Sequence, residues 1–156
     1  MELNMDEKVL IKNLCNWDLF IKRILKNGDV KIAANKTVKL TREEIEAQVN
    51  NGNNLFTGTD GMGSNPRIYI EDRDLRVHLD FESEDGEVKQ EILTAEEIER
   101  IINLKTFNSF KDNIEKKVVT ENQKHLLLNV SKKNKLNDFE KIKFIEEYTG
   151  LKFNKE

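Results

Sequence analysis

Apolar positions along the chain follow one period up to about residue 92 and another from residue 94 onward. In the first stretch they recur mostly at every second position. Leu75, Val77, Leu79 and Phe81 alternate strictly with Arg76, His78, Asp80 and Glu82, which predicts a half-buried strand. Ile68 and Ile70 predict another strand before the polar turn Glu71-Asp-Arg-Asp74, and Val88 to Ile92 a returning edge strand. Val30, Ile32 and Ala34, then Val38 and Leu40, alternate with lysines about Asn35-Lys36 and predict a hairpin. Residues 9–25 fit two patterns. Leu10, Leu14, Trp17, Ile21 and Ile24 fall at helical spacing, whereas Asn13, Asn16 and Asp18 favour turns. We read two short strands joined at Asn13–Asp18. Asn27-Gly28-Asp29 suits either a hairpin turn or a helix end.

Helical signals begin with Thr41-Arg-Glu-Glu44, a capping box that opens a helix from Arg42 to about Val49, with Ile45 and Val49 inward. Asn50-Asn51-Gly52 ends it. From Thr94 the helical period persists. Thr94-Ala-Glu-Glu97 and Thr120-Glu-Asn-Gln123 are further boxes, and Asn137-Asp-Phe-Glu140 starts a last helix that ends at Gly150. Ile98, Ile101 and Ile102 form one inward stripe and Phe107, Phe110, Ile114 and Val118 another. Leu126, Leu127 and Val130 follow, then Phe139, Ile142, Ile145 and Tyr148. The expected fold is therefore α+β. Residues 8–92 form a small antiparallel β-rich domain with one helix, and residues 93–153 a bundle of about four helices. Leu40-Thr-Arg-Glu-Glu-Ile-Glu46 nearly repeats as Leu93-Thr-Ala-Glu-Glu-Ile-Glu99, but nothing around it repeats, so we read one start signal used twice.

Composition narrows the class. With 37% hydrophobic and 35% charged residues, the chain is well above a disordered composition. No apolar run approaches the roughly 20 residues of a bilayer crossing, so no membrane partner is expected. The acidic N-terminus lacks the basic start of a signal peptide. A single cysteine, Cys15, excludes an internal disulfide and suits a reducing cytoplasm. The net charge of −3 is uneven: residues 1–59 are nearly balanced, 60–99 strongly acidic and 100–156 basic.

Candidate chemistry centres on residues 50–67. Gly58, Gly61, Gly63 and the only proline, Pro66, are crowded there. A phosphate loop needs a helix after its glycines; here Pro66 and a predicted strand follow. Asp60, Asp72 and Asp74 lack calcium-loop spacing. Cys15, His78 and His125 are too scattered to specify a zinc site or a nucleophile pair. No cofactor is expected, and an enzyme is disfavoured. Ser131-Lys-Lys-Asn-Lys135 is a basic turn, yet the pI of about 5.6 and the lack of a binding motif make nucleic acid an unfavoured partner. Trp17, Phe56, Met62 and Tyr69 are residue types that mark interface cores, although Trp17 and Phe56 more often serve a protein's own core. The reading that fits best is a partner-binding loop made of Thr57, Thr59, Asp60, Met62, Ser64 and Arg67. A tight structural loop with no partner is the alternative.

Several segments resemble small bacteriophage proteins of Gram-positive hosts. They are Asn13-Leu-Cys-Asn-Trp17, Gly28-Asp-Val-Lys-Ile32, Glu44-Ile45 with Gln48, Gly52-Asn53, Leu55-Phe-Thr-Gly-Thr-Asp-Gly61, Gly63-Ser64 and Arg67-Ile-Tyr-Ile-Glu-Asp72. Leu136-Asn-Asp-Phe-Glu-Lys-Ile142 and Phe144-Ile-Glu-Glu-Tyr-Thr-Gly150 extend the likeness through the C-terminal segment. Asn65-Pro66 stands where a His-Ala pair is frequent, which weakens any role for a loop histidine. The resemblance implies a non-enzymatic structural or assembly accessory, in the virion or host cytoplasm, whose partners are other phage structural proteins or itself. The alternative is a phage-encoded module that binds a host factor or nucleic acid. No catalytic residue comes with the family.

Overall fold

A computed structural model describes residues 2–154. The fold is α+β, with antiparallel strands in the N-terminal half and helices in the C-terminal half. The chain divides into two compact units, Met1–Ile92 and Leu93–Glu156.

In the first unit, β1 (Lys8–Asn13) is the centre of a three-stranded antiparallel sheet, flanked by β4 (Thr37–Thr41) and β5 (Ile68–Ile70). Ile11 lies opposite Val38 on one side and Ile70 on the other. β2 (Leu19–Lys22) and β3 (Asp29–Ile32) form a separate two-stranded sheet. Residues 9–25 are thus two strands joined through Asn13–Asp18, as read, and Asn27-Gly28 closes a hairpin. The expected pairing of the Val30 and Val38 strands is not formed. β3 pairs with β2, and β4 with β1.

The buried side chain of Asn13 links these parts. Its amide donates to Trp17 O at 2.7 Å and Ile32 O at 3.0 Å, and its Oδ1 accepts from Cys15 N at 2.7 Å. A residue that reads as a strand breaker instead satisfies the backbone where β1 ends. Ile11, Ile21, Ile32, Ile45, Phe56, Ile68, Ile70, Leu75 and Phe81 meet in one core.

Among the described residues this unit has three helices rather than one: α1 (Arg42–Asn50), the single turn α2 (Asn54–Thr57) and α3 (Arg73–His78). Thr41 caps α1 by accepting from Glu44 N, but the Glu44 side chain does not complete the box. Its carboxylate is buried and accepts from the amides of Ile24 and Leu25 and from Gln48 Nε2. The main correction is α3, which occupies most of the predicted strand Leu75–Phe81. Asp72 caps it through Leu75 N. Arg76 reaches back from it to Ile70 O at 2.7 Å and to Glu82 at 2.7 Å. The helix closes with Phe81 N donating to Arg76 O and Asp80 N to Val77 O, with Asp80 left-handed at φ 64°. Val88 to Ile92 is not a strand, and Val88 is exposed.

Among the described residues the second unit has four helices: α4 (Ala95–Ile102), α5 (Phe107–Lys117), α6 (Glu121–Lys133) and α7 (Phe139–Thr149). Ile98, Ile101, Phe110, Ile114, Val118, Leu127 and Ile145 fill its core. Phe107, Phe110, Phe144 and Tyr148 add an aromatic cluster at 5.7–6.0 Å ring separations. Of the three expected capping boxes, the one at Thr120 and Gln123 is complete. Glu97, its counterpart at Thr94, instead accepts from Arg100 and Lys117. The last helix is capped by Asp138 rather than Asn137, and Phe139, expected inward, is 77% exposed. As the first residue after its cap, Phe139 precedes the part of the stripe that turns toward the core. Among the described residues, no helix is long and apolar enough to cross a membrane.

Candidate functional site

The 57–67 loop leaves α2 and re-enters the sheet at β5, so its two ends are fixed by the core. Phe56 and Ile68 are buried at either end. Arg67 N donates to Leu55 O at 3.0 Å, and Leu14 N to Arg67 O at 2.8 Å. Between them the chain folds on itself. Thr59 N donates to Ser64 O at 2.9 Å and Gly63 N to Thr57 O at 2.7 Å. Gly58 adopts φ 71° and ψ −151°, a conformation open essentially to glycine alone. A Cβ there would collide with the Ser64 carbonyl.

Asp60 is the internal clamp of the loop. Its Oδ1 accepts from Met62 N at 2.8 Å and Ser64 N at 3.2 Å, and its Oδ2 from Ser64 Oγ at 2.7 Å. The Ser64 hydroxyl and then the Met62 amide favour the ionised carboxylate and hold its pKa below the usual value. The far side of the loop is braced from residues distant in sequence. Gln90 Nε2 donates to Gly63 O at 2.7 Å, and Asn65 N to Glu91 O at 2.7 Å. The Phe81 ring lies so close to Gly63 that a Cβ would come within 2.8 Å.

The six residues expected to bind a partner therefore divide into two groups. Thr57 is buried, its hydroxyl 3.4 Å from Asn53 O. Asp60 and Ser64 use their side chains on each other and on the loop backbone. These three build the loop. Thr59 and Met62 are exposed, Met62 by 52%, and the half-buried Arg67 guanidinium forms no ion pair or hydrogen bond among the described residues. Met62 and Arg67 are the presented groups, since the Thr59 hydroxyl, though exposed, donates to Ser64 O at 3.3 Å. Gln90, Phe81 and Asn65 support the site without any local sequence signal.

The other candidates lie apart. Asp72 pairs with Arg42 at 2.7 Å and caps α3, so it does not join Asp60 in a cation site. Among the described residues, no three His, Cys, Asp or Glu side chains are grouped to hold a metal ion. His78 is exposed beside Glu46 at 2.6 Å, and Cys15 is buried in the sheet core. Trp17 and Tyr69 are half-buried, and Arg76 lies 4.9 Å from the Tyr69 ring centre. No protein-family model, curated protein or solved structure matches the chain.

Proposed function

We propose that this chain is a non-enzymatic bacteriophage protein, a structural or assembly accessory, that works by presenting the 57–67 loop to another protein. The observation that supports this reading is the division of labour within the loop. Thr57, Thr59, Asp60 and Ser64 hold its backbone, while Met62 stands exposed and the Arg67 guanidinium is unpaired among the described residues. A surface ordered before contact loses less conformational entropy on binding. Met62 offers an adaptable apolar contact, and Arg67 a planar fork for a carboxylate. The resemblance to phage proteins supplies the setting.

The test is complementation of a phage lacking this gene by wild-type protein or by Met62→Asp with Arg67→Glu. The variant is expected to keep the wild-type melting temperature within a few degrees, because neither side chain supports the fold. Infectious particle yield should fall at least tenfold, and the variant should be depleted from purified particles or assembly intermediates. Full yield with the variant would overturn the proposal.

A further inference from the structure

Strand alternation puts Lys8, Leu10 and Lys12 of β1 on the sheet face opposite the buried Ile11. In the register with β4, Lys8 lies opposite Thr41 and Leu10 opposite Lys39, so Lys39 shares that outward face. Lys12 lies opposite Tyr69 of β5 on its other side. Where β1 begins and β4 ends, a cavity of about 310 Å³ is lined by Lys8 and Lys39 together with Arg23 and Lys26 from the turn between β2 and β3. None of Lys8, Lys12, Lys39, Arg23 and Lys26 forms an ion pair or side-chain hydrogen bond among the described residues. Arg42, Arg73 and Arg76 of the same unit are all paired with carboxylates.

This gathering runs against the surrounding charge. Residues 2–92 hold 13 basic and 18 acidic side chains. Asp6 and Glu43 also line the cavity, and Glu71 is exposed just beyond β5. The third acid of the cavity, Glu44, has its carboxylate engaged by two backbone amides. The low overall pI averages over this face and conceals it.

The spacing selects the kind of anion. Lys8 and Lys12 are four residues apart on one strand, roughly 13 Å at the usual rise. One phosphate cannot span that distance, whereas a chain of phosphates can. Ammonium groups act on phosphates as point charges. On the same face, Leu10 is 37% exposed and Tyr69, with Arg76 4.9 Å from its ring centre, is half-buried; together they offer a small apolar surface beside the lysines against which a base can rest. We infer that this face and the cavity at its end bind single-stranded nucleic acid, with the phosphates against Lys8, Lys12, Lys39, Arg23 and Lys26. The inference uses no residue of the 57–67 loop and stands or falls separately from it.

The test is fluorescence anisotropy of a labelled 20-nucleotide oligo-dT with the protein at low salt. Lys8→Gln with Lys39→Gln is expected to weaken binding at least tenfold and to flatten the salt dependence, whose slope for single strands is about 0.7 per neutralised phosphate. Lys111→Gln with Lys116→Gln, both exposed on α5, removes the same charge elsewhere and should change affinity less than twofold. Lys8→Arg with Lys39→Arg should retain binding. Equal losses in the two glutamine pairs would mean non-specific attraction and overturn the inference. So would absence of binding, tighter binding of a duplex of equal length, or displacement of the oligonucleotide by polyglutamate at equal charge, which would point to an acidic protein.

Discussion

Replacing Gly58 by alanine tests whether the loop is built as described. Its φ 71°, ψ −151° conformation costs an L-residue about 1–3 kcal/mol. The new Cβ would also meet the carbonyl of Ser64, which is main chain and cannot swing aside. Relieving the clash separates the two sides of the loop and breaks the Thr59 N–Ser64 O and Gly63 N–Thr57 O bonds, each contributing about 1 kcal/mol. The expected total is about 3–5 kcal/mol. Gly61→Ala is the internal control. Gly61 is also left-handed, at φ 76°, but its Cβ would enter open space, so about 1 kcal/mol is expected. Urea unfolding of the two variants supplies the difference, and amide exchange at Thr59 and Gly63 locates it. Equal destabilisation, or unchanged protection of those amides in Gly58→Ala, would refute the closed loop. Asp60→Ala is expected to loosen the same loop, so a binding defect in that variant would not identify a contact residue; Met62 is the position that separates the two.

Asn13→Ala is expected to cost about 2–4 kcal/mol in a urea melt, because it leaves a buried amide and two carbonyls without their partner; a loss below about 0.5 kcal/mol would contradict that role. Hydrogen bonds from Arg100 and then Lys117 lower the Glu97 pKa from 4.5 to about 2. The folded value lies below the unfolded one, so this stabilisation is present above about pH 4.5 and lost as the pH falls toward 2. With the carboxylate about a quarter exposed, an acid-dependent loss of about 1 kcal/mol is expected, absent in Glu97→Gln. Lys135 is left-handed at φ 54° in the turn that ends α6, where Leu136 N donates to Ser131 O and Lys135 N to Lys132 O. Lys135→Gly should therefore raise stability by about 0.5–1 kcal/mol, read as a higher melting temperature; a lower one would count against this geometry.

What the sequence disclosed depended on whether the signal was local. The helices after Thr94 carry their own caps and stripes, and they form where expected. Segment 75–81 carries two signals. Its apolar residues alternate, yet Asp72 precedes it as a cap and Leu75 and Leu79 also sit one helical turn apart. The usual stop signal was missing, because Asp80 rather than glycine takes the left-handed position. Tertiary support then decided the outcome, through the reach of Arg76 to Ile70 O and Glu82. Strand partners were similarly illegible. Asn35-Lys36 does form a turn, with Lys36 N donating to Ala33 O, but the strands on either side pair elsewhere. In the loop, glycine content and length were visible. The roles of Asp60 as clamp and Gln90 as brace were not, since they depend on where side chains point and on chain distant in sequence.

The central place of β1 has a consequence for synthesis at the ribosome. This strand is made before both of its partners, and Ile70 of β5 follows only after β2, β3, β4, α1 and α2. The hairpin of β2 and β3 needs only local closure and can form early, whereas β1 must wait for β4 to cover one edge and longer for β5 to cover the other. During that interval the nascent chain exposes Val9-Leu-Ile11, a segment suited to pairing with another copy. Lys8 and Lys12 flank that segment, and their repulsion between neighbouring chains is a safeguard while the sheet is incomplete.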